Sequence, residues 1–465
     1  MDAAEILTVK NHWNYRAAIG YLNGFIDFER QPEPRLQTEA KDIERFRTLL
    51  ERLGNPHLSY PTIHVAGTKG KGSTSVLLAS ILQSAGYRVG LYTSPHLVSV
   101  RERVIVSSKM IGRRNFALVM SRIAMEFDSL SRDQSLAFRT VFELLTAAGF
   151  LEFQRQNTDM AVIEAGLGAK LDATIVVEPI LAVMTPIGLD HTHVLGNTVE
   201  LIAADKAHII KPGVTVVSAP QIESAHKELQ KRADEVGGYL RYAPGAKEFT
   251  VKRRSWKGTE LSSNRRWLKG NPIRLALAGS YQLTNLSVVL TAVEELRSRG
   301  FSIGVEAVEA GLANARWPGR MQVIDRRPQV ILDGAHNTLA VAAFQSALNE
   351  LIGCRKPHVV FSSIIGKPVE EMASLLAANA EMMHLSPLQF PKGMPIESLL
   401  DAVKPTGAQY RTYADAPSAL AGARQAAGED GIVVVTGSLY LVSEVLRHYK
   451  GLPMSSVTGG IDDSI

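Results

Sequence analysis

Cysteine is almost absent from this chain: Cys354 is the only one among 465 residues. No intrachain disulfide can form, which fits a reducing compartment, so a cytoplasmic location is the expectation. Aromatic residues are also few, at 6%. No run approaches the ~18 apolar residues of a membrane span, and no membrane partner is expected. Met1-Asp2-Ala3-Ala4-Glu5 carries early acids and no apolar stretch, so no secretory signal is expected. Charge of one sign is in only slight excess. A net charge of +5 suits small anionic ligands and does not by itself argue for nucleic acid. There is no tandem repeat.

What remains is ordinary for a globular protein, with 45% hydrophobic and 21% charged residues. At roughly 100–200 residues per domain, the length suggests two or three domains. Residues 12–56 read as helical, with Phe25, Phe28, Ile43, Phe46, Leu49, Leu50 and Leu53 spaced for buried faces. Strand Thr62–Ala66, a glycine-rich turn, helix Ser73–Ala85 and strand Val89–Tyr92 then form a βαβ unit, which implies a parallel sheet. An apolar helix over 139–155 precedes strands at Met160–Glu164, Leu181–Thr185 and Thr215–Ser218. Helix Asn285–Gly300 follows an irregular basic stretch. A second α/β series has strands near 321–325, 329–333, 358–362, 382–385 and 432–436. The expected domains are 1–312 and 313–450, with a frayed tail over 451–465.

The chemistry concentrates first in Gly67-Thr68-Lys69-Gly70-Lys71-Gly72-Ser73-Thr74, between a strand and a helix. Glycines let the backbone curl so that successive N–H groups face a polyphosphate. The helix N-terminus adds partial positive charge. Lys71 supplies a point charge for the β- and γ-phosphates, and Ser73 and Thr74 offer hydroxyls. The common P-loop has Gly six residues before its lysine, where this chain has Val65, and Ser or Thr straight after it, where this chain has Gly72. A plain glycine turn capping a helix would share the glycines; Lys71 and the βαβ setting favour phosphate.

The variant loop, His64 through Ser73, closely resembles that of folylpolyglutamate synthases, relatives of the Mur ligases. Further matches follow in family order. They are Thr93-Ser94-Pro95-His96-Leu97, Thr140-Val141-Phe142-Glu143, and Glu164-Ala165-Gly166-Leu167-Gly168 running into Leu171-Asp172-Ala173-Thr174. Next come Leu189-Asp190-His191-Thr192, Asp205-Lys206-Ala207, Trp317-Pro318-Gly319-Arg320, Asp333-Gly334-Ala335-His336-Asn337 and Thr436-Gly437-Ser438-Leu439-Tyr440. The resemblance spans about residues 15–445. It implies an α/β fold: a P-loop ATPase domain with a mostly parallel sheet, then a C-terminal Rossmann-like α/β domain, with the active site between them.

Ser94, Glu164 and His191 each fall just past an expected strand end, and such ends converge at one edge of a parallel sheet. The family's matching Ser, Glu and His hold Mg²⁺, a role that suits the hard carboxylate of Glu164. Taken singly, Ser94 could cap a turn, Glu164 could pair with a lysine, and His191 could be a core histidine. Lys206 lies in a largely apolar helix, where a lysine is costly unless paired or altered. The resemblance implies that it is carbamylated and helps to hold a second Mg²⁺. It also implies catalytic roles for Lys71, Lys206 and His191, an adenine contact for Asn285, and ATP contacts for Arg320 and Asp333, with His336 nearby. Thr140, Val141, Phe142, Glu143, Leu171, Asp172 and Ala173 match segments that contact pteroate in bifunctional members.

The implied reaction is ATP-dependent joining of L-glutamate to a folate carboxylate through an acyl phosphate. Dihydrofolate synthase activity, alone or alongside, uses the same chemistry on dihydropteroate. A Mur-type ligase acting on a non-folate acid and a non-catalytic nucleotide-binding module are the other readings; the retained Lys71, Glu164, His191 and Lys206 argue against the last. Expected partners are these small molecules and ATP, with no nucleic acid, and a monomer. Three departures bear on substrate contacts: Gly168-Ala169-Lys170 for Gly-Gly-Arg, Tyr281-Gln282 for His-Gln, and Gly366-Lys367-Pro368 for Asp-Lys-Asp. Beside Lys206, Asp205 and His208 replace Glu and Gly. Lys252-Arg253-Arg254 and Arg265-Arg266 read as a solvated surface hairpin, at most a lure for polyanionic folate.

Overall fold

The computed structural model describes residues 13–25, 27, 40–131, 140–268 and 270–452. Most of the expected tail and Phe28 lie outside these residues. The first sheet contains β1 (Thr62–Ala66), β2 (Val89–Tyr92), β3 (Val104–Val106), β4 (Lys109–Met110), β5 (Met160–Glu164), β6 (Pro179–Met184), β7 (Thr215–Ser218) and β8 (Tyr239–Tyr242). Its order is β4-β3-β2-β5-β1-β6-β7-β8. The six strands from β2 to β8 in that order run parallel, and the β3–β4 hairpin adds an antiparallel edge. β1 and β5 are buried along their whole length, as a sheet covered on both faces requires.

Helix Lys71–Ser84 lies on one face of this sheet, packed against helices Gln282–Ser298 and Val305–Asn314. Val76, Leu77, Leu78, Ile81 and Leu82 are all buried. The approach of Val305–Asn314 is close enough that a Cβ on Gly311 would meet the backbone of Ile81 at 2.5 Å. Helices Arg113–Ser131 and Val141–Arg155 belong to the core on the opposite face. The expected helix over 12–56 is two helices among the described residues, Tyr15–Leu22 and Ala40–Arg52. Ile43, Phe46, Leu49, Leu50 and Leu53 are buried as their spacing implies.

A small antiparallel sheet contains β9 (Phe249–Ser255), β10 (Gly258–Ser263) and β11 (Ile273–Leu275), so the expected hairpin carries a third strand. The last sheet contains β12 (Gln322–Arg326), β13 (Gln329–Leu332), β14 (His358–Phe361), β15 (Met382–Leu385), β16 (Tyr410–Thr412) and β17 (Ile432–Thr436). Its order is β12-β13-β17-β14-β15-β16, parallel except for β12. The two large sheets are bridged by a peg, Leu97-Val98, seated on the apolar cluster of the second sheet. Arg447 Nη1 donates to Val98 O at 2.9 Å, and Ser443 Oγ donates to Leu97 O. Among the described residues, no helix is long and apolar enough to cross a membrane.

The basic stretch does form a hairpin, but its arginines are already committed. Arg253 pairs with Glu260 at 2.6 Å and Arg254 with Glu350 at 3.1 Å. Arg265 is not solvated: its side chain is 7% exposed and reaches Glu248 at 2.6 Å and Glu294 at 2.9 Å. It also donates to Thr291 Oγ1 at 2.8 Å and Ser287 O at 3.2 Å. None of these arginines lines the large cavity between the sheets, so the notion of an electrostatic lure finds no support in their pairing. Removing one partner of a buried pair strands the other charge, at a cost of about 3–5 kcal/mol. Arg265→Ala is therefore expected to lower the urea midpoint by that equivalent, while exposed Arg253→Ala leaves it nearly unchanged; equilibrium denaturation checks both.

Candidate active site

β1 ends at Ala66, and the chain turns through Gly67 and Gly70, both with positive φ, into helix Lys71–Ser84. The glycines are required here. A Cβ on Gly67 would overlap Thr185, and one on Gly70 would overlap the Asn285 amide. The loop is tied to the segment after β6: Thr68 N and Lys69 N donate to Pro186 O at 3.0 and 3.2 Å, and Thr68 Oγ1 donates to Gly188 O at 3.1 Å. No side chain caps the helix at Gly70. Its first-turn amides therefore have no partner within the helix and suit an anion.

The loop forms one wall of a cavity of about 2560 Å³ between the two domains. Drug-sized ligands occupy roughly 300–1,000 Å³, so there is room for a nucleotide and a second substrate together. The lining includes Gly67, Thr68, Gly70, Lys71, Gly72, Ser73, Ser94, Glu164, His191 and Lys206 from the first domain. Asn285, Arg320, Asp333 and His336 share it, as do Thr140, Val141, Phe142, Glu143, Leu171, Asp172 and Ala173. Thr74 alone of the expected site residues is behind the wall, its buried hydroxyl without a partner.

Lys71, Lys206 and Arg320 line the cavity without a hydrogen bond or ion pair among the described residues. Lys206 is 4% exposed; burial, then the Lys71 charge, brings its pKa down to about 7 against the pull of Asp205, Asp190 and Asp172. Glu164 is 3% exposed, and burial lifts its carboxyl to about 7 even though Lys71, Arg320 and the Ser94 amide favour the anion. Ser94 N donates to Glu164 Oε2 at 3.2 Å. His191 has φ 49°, which turns the ring toward the cleft at a residue of left-handed backbone. Desolvation by the cleft walls and the charges of Lys367, Lys71 and Lys206 hold its pKa near 3, against Asp190.

Several acids of the expected site serve the backbone instead. Asp172 accepts from Gly166 N at 3.0 Å, Leu167 N at 2.9 Å and Thr174 N at 2.9 Å, fixing the loop after β5. Glu143 closes a capping box with Thr140 at the start of helix Val141–Arg155. Asp333 accepts from Met321 N and Ala335 N, both at 2.9 Å, which sets the backbone beside Arg320. His336 Nδ1 bonds Gly334 O at 2.8 Å; the carbonyl can only accept, so Nδ1 carries the proton and Nε2 is the free lone pair. Asn285 Nδ2 donates to Gln282 Oε1 at 2.8 Å, and Gln282 Nε2 donates to Ser73 Oγ at 3.3 Å, joining helix Gln282–Ser298 to the glycine loop.

The departures occupy distinct places. Lys170 is exposed and outside the cavity lining, whereas Ala169 N donates to Asp205 Oδ1 at 2.7 Å. Tyr281 lines the cavity with its hydroxyl 3.5 Å from Asp333 Oδ2. Lys367 reaches Asp190 at 3.2 Å. Asp190, Lys69 and Asn337 stood in matched motifs and Lys367 in a departure, but no reading of the residues joined them; their meeting depends on how the two domains are packed.

A magnesium site was tested against the donors present. Among the described residues, no three His, Cys, Asp or Glu side chains gather as a ready cation cage. Mg²⁺ typically keeps waters and binds substrate phosphates with one or two carboxylates, so a single buried carboxylate, Glu164, with Ser94 and neutral His191 fits that habit. Lys206 supplies no anion unless modified; its lowered pKa leaves a large neutral-amine fraction near pH 7, the form that adds CO₂.

Comparison with known proteins agrees with this layout. Residues 65–293 match the Mur ligase middle domain and residues 319–439 the Mur ligase glutamate ligase domain. The dihydrofolate synthase/folylpolyglutamate synthase of Bacillus subtilis is 31% identical over 438 residues, covering 94% of this chain and 99% of that protein. The folylpolyglutamate synthase of Lacticaseibacillus casei is 31% identical over 442 residues, with 94% and 99% coverage. The Mycobacterium tuberculosis folylpolyglutamate synthase complexed with ADP and AMPPCP superposes with a TM-score of 0.82 at 27% identity, covering 95% of this chain and 100% of that one. With two Mur ligase domains matched and folylpolyglutamate and dihydrofolate synthases 31% identical along nearly its whole length, the chain belongs to the folylpolyglutamate synthase/dihydrofolate synthase family of the Mur ligase superfamily.

Proposed function

We propose that this ligase adds L-glutamate to the γ-carboxylate of a tetrahydrofolate at the expense of ATP. One observation carries the reading: Lys71, Lys206 and Arg320 face a common cavity without a hydrogen bond or ion pair to any described residue, beside the uncapped helix at the glycine loop. Such an arrangement is incomplete until a polyanion arrives. Folylpolyglutamate and dihydrofolate synthases are the relatives matched over nearly the whole chain, and one solved relative, from E. coli, is described as a complex with DHPP and ADP.

The chemistry follows from what each group can do. Lys71 and the first-turn amides bind the β- and γ-phosphates, and Arg320 approaches from the second domain. A carboxylate oxygen of the folate attacks the γ-phosphorus, ADP leaves, and an acyl phosphate results. The amine of glutamate then attacks the acyl carbon, loses a proton and expels phosphate. Phosphoryl transfer of this kind depends mainly on positioning and charge neutralisation. Two Mg²⁺, when bound, would neutralise phosphate charge; Ser94, Glu164 and His191 would hold one, and Lys206 as a carbamate would contribute to the second. Asn285 would contact adenine, with Asp333 holding the Arg320 backbone and His336 presenting Nε2 nearby. We read the enzyme as a monomer, because one chain supplies both walls of the cleft, and as cytoplasmic, because a single cysteine suits a reducing compartment.

Dihydrofolate synthase activity is the second reading. It is favoured by Phe142, Leu171 and Ala173, which give the same cavity an apolar wall beside Thr140, Val141, Glu143 and Asp172. Incubation with ATP, Mg²⁺, glutamate and a panel of pteroates and folates, followed by product mass, decides between them. A product heavier by one glutamyl residue is expected with tetrahydrofolate. No glutamylated product from any acceptor refutes both readings.

Two further outcomes are expected. Lys71→Ala removes a charge at the transferring phosphate and should lower kcat by about 10²–10³-fold, the scale of removing such stabilisation; near-normal kcat refutes the assignment. The pH dependence of Mg²⁺ binding has a definite sign. A raised pKa keeps Glu164 protonated, and unable to ligate, below about pH 7, while Lys206 becomes neutral as pH rises past about 7. Mg²⁺ affinity in the presence of nucleotide should therefore increase from pH 6 to 8, and Glu164→Gln should flatten most of that rise. Titration calorimetry measures it, and carbon-13 NMR under labelled CO₂ detects the Lys206 carbamate separately from activity.

A further inference from the structure

The strongest cross-domain polar junction in the cleft is centred on a residue to which the proposed chemistry gives no task. Asp190 Oδ2 accepts from Lys69 Nζ at 2.8 Å and from Asn337 Nδ2 at 3.0 Å. Its Oδ1 accepts from Lys367 Nζ at 3.2 Å and from the His191 amide at 3.0 Å. A carboxylate has about four lone-pair sites, and here all are used. The donors come from three separate segments. Lys69 belongs to the glycine loop, Asn337 caps helix Thr338–Ile352, and Lys367 precedes helix Val369–Ala377. Two of the three thus belong to the second domain.

We propose that Asp190 is an interdomain positioning residue, a latch that holds the second domain against the glycine loop before nucleotide binds. The surroundings explain why a latch is needed. Lys69 and Lys367 are basic groups from opposite walls of the cleft, and Asp190 pairs with both. Without Asp190, these two cations would face each other across the empty cleft. The pairs are well shielded: the side chains of Asp190 and Lys367 are 11% and 13% exposed, so solvent screens them less than surface pairs. A bound polyphosphate can take over the neutralisation, so the latch matters most when the cleft is empty.

The test reads the separation of the domains directly. Cys354 is exposed in the second domain and is the sole native thiol; Lys231→Cys adds a second label position on an exposed helix residue of the first. Pulsed electron–electron distance measurements on the doubly labelled protein are compared with the same protein carrying Lys367→Met or Asp190→Asn. Lys367→Met separates the latch from Asp190's contact with the metal-site neighbour His191. Without ligand, both variants are expected to show a longer or broader distance distribution than the parent. With saturating Mg²⁺ and a non-hydrolysable ATP analogue, they return to the parent's distribution. If the closed population of the empty enzyme falls tenfold, the apparent KM for ATP rises about tenfold in Lys367→Met, with kcat at saturation within about threefold. Ligand-free distributions identical to the parent's in both variants overturn the proposal. So does a shift that saturating analogue leaves in place. The ligand-free comparison does not depend on the proposed reaction; failure of that reading would appear as an analogue that does not bind the parent at all.

Discussion

The uncapped end of one buried helix, with Lys71 at its first position, is the constraint on which the rest depends. Helix Lys71–Ser84 is clamped between a parallel sheet and two further helices, so its N-terminus cannot move to find solvent partners. Lys71 projects from that fixed end, and Lys206 and Arg320 converge on the same cavity. Charges held in this way are destabilising in isolation and become favourable when an anion enters. The fold thus stores its affinity for polyphosphate in geometry already set by packing. The acids of the cavity fall into three groups. Asp172 and Asp333 are consumed by backbone amides, Glu164 keeps most of its capacity for a cation, and Asp190 joins the domains.

Two-domain construction follows from the reaction's needs. The glycine loop and Glu164 sit at the carboxyl edge of the first sheet, while Arg320, Asp333 and His336 flank β12 and β13 of the second. Neither half alone surrounds a triphosphate. The fixed contacts between them, the Leu97-Val98 peg and the Arg254–Glu350 pair, lie outside the charged centre or at its margin. Keeping the cleft closed around substrates would exclude water from an acyl phosphate that water would otherwise hydrolyse.

Much of this was legible from residues alone. The strands β1, β2, β5, β7, β14, β15 and β17 are continuous apolar runs, and their burial on both faces is what the run predicts. The glycine loop was legible because its glycines have no alternative: the side chains of Thr185 and Asn285 fill the space a Cβ would need. Among the strands that escaped, β4, β8 and β16 have no fully buried residue, so no hydrophobic period marks them. The buried state of Arg265 escaped for a related reason. Its partners Glu248, Thr291 and Glu294 come from distant segments, and composition alone reads such an arginine as surface. Asp190 shows the same limit within the site, since a lone aspartate in a motif gives no hint that Lys367, 177 residues away, will reach it.

The central claim is that a carboxylate is phosphorylated in this cleft before the amide forms. Tetrahydrofolate labelled with oxygen-18 in its γ-carboxylate, turned over with ATP, Mg²⁺ and glutamate, tests it through the mass of the released phosphate. Transfer of one labelled oxygen into phosphate for each amide formed is the predicted result. Amide formation with phosphate free of the label would contradict the account.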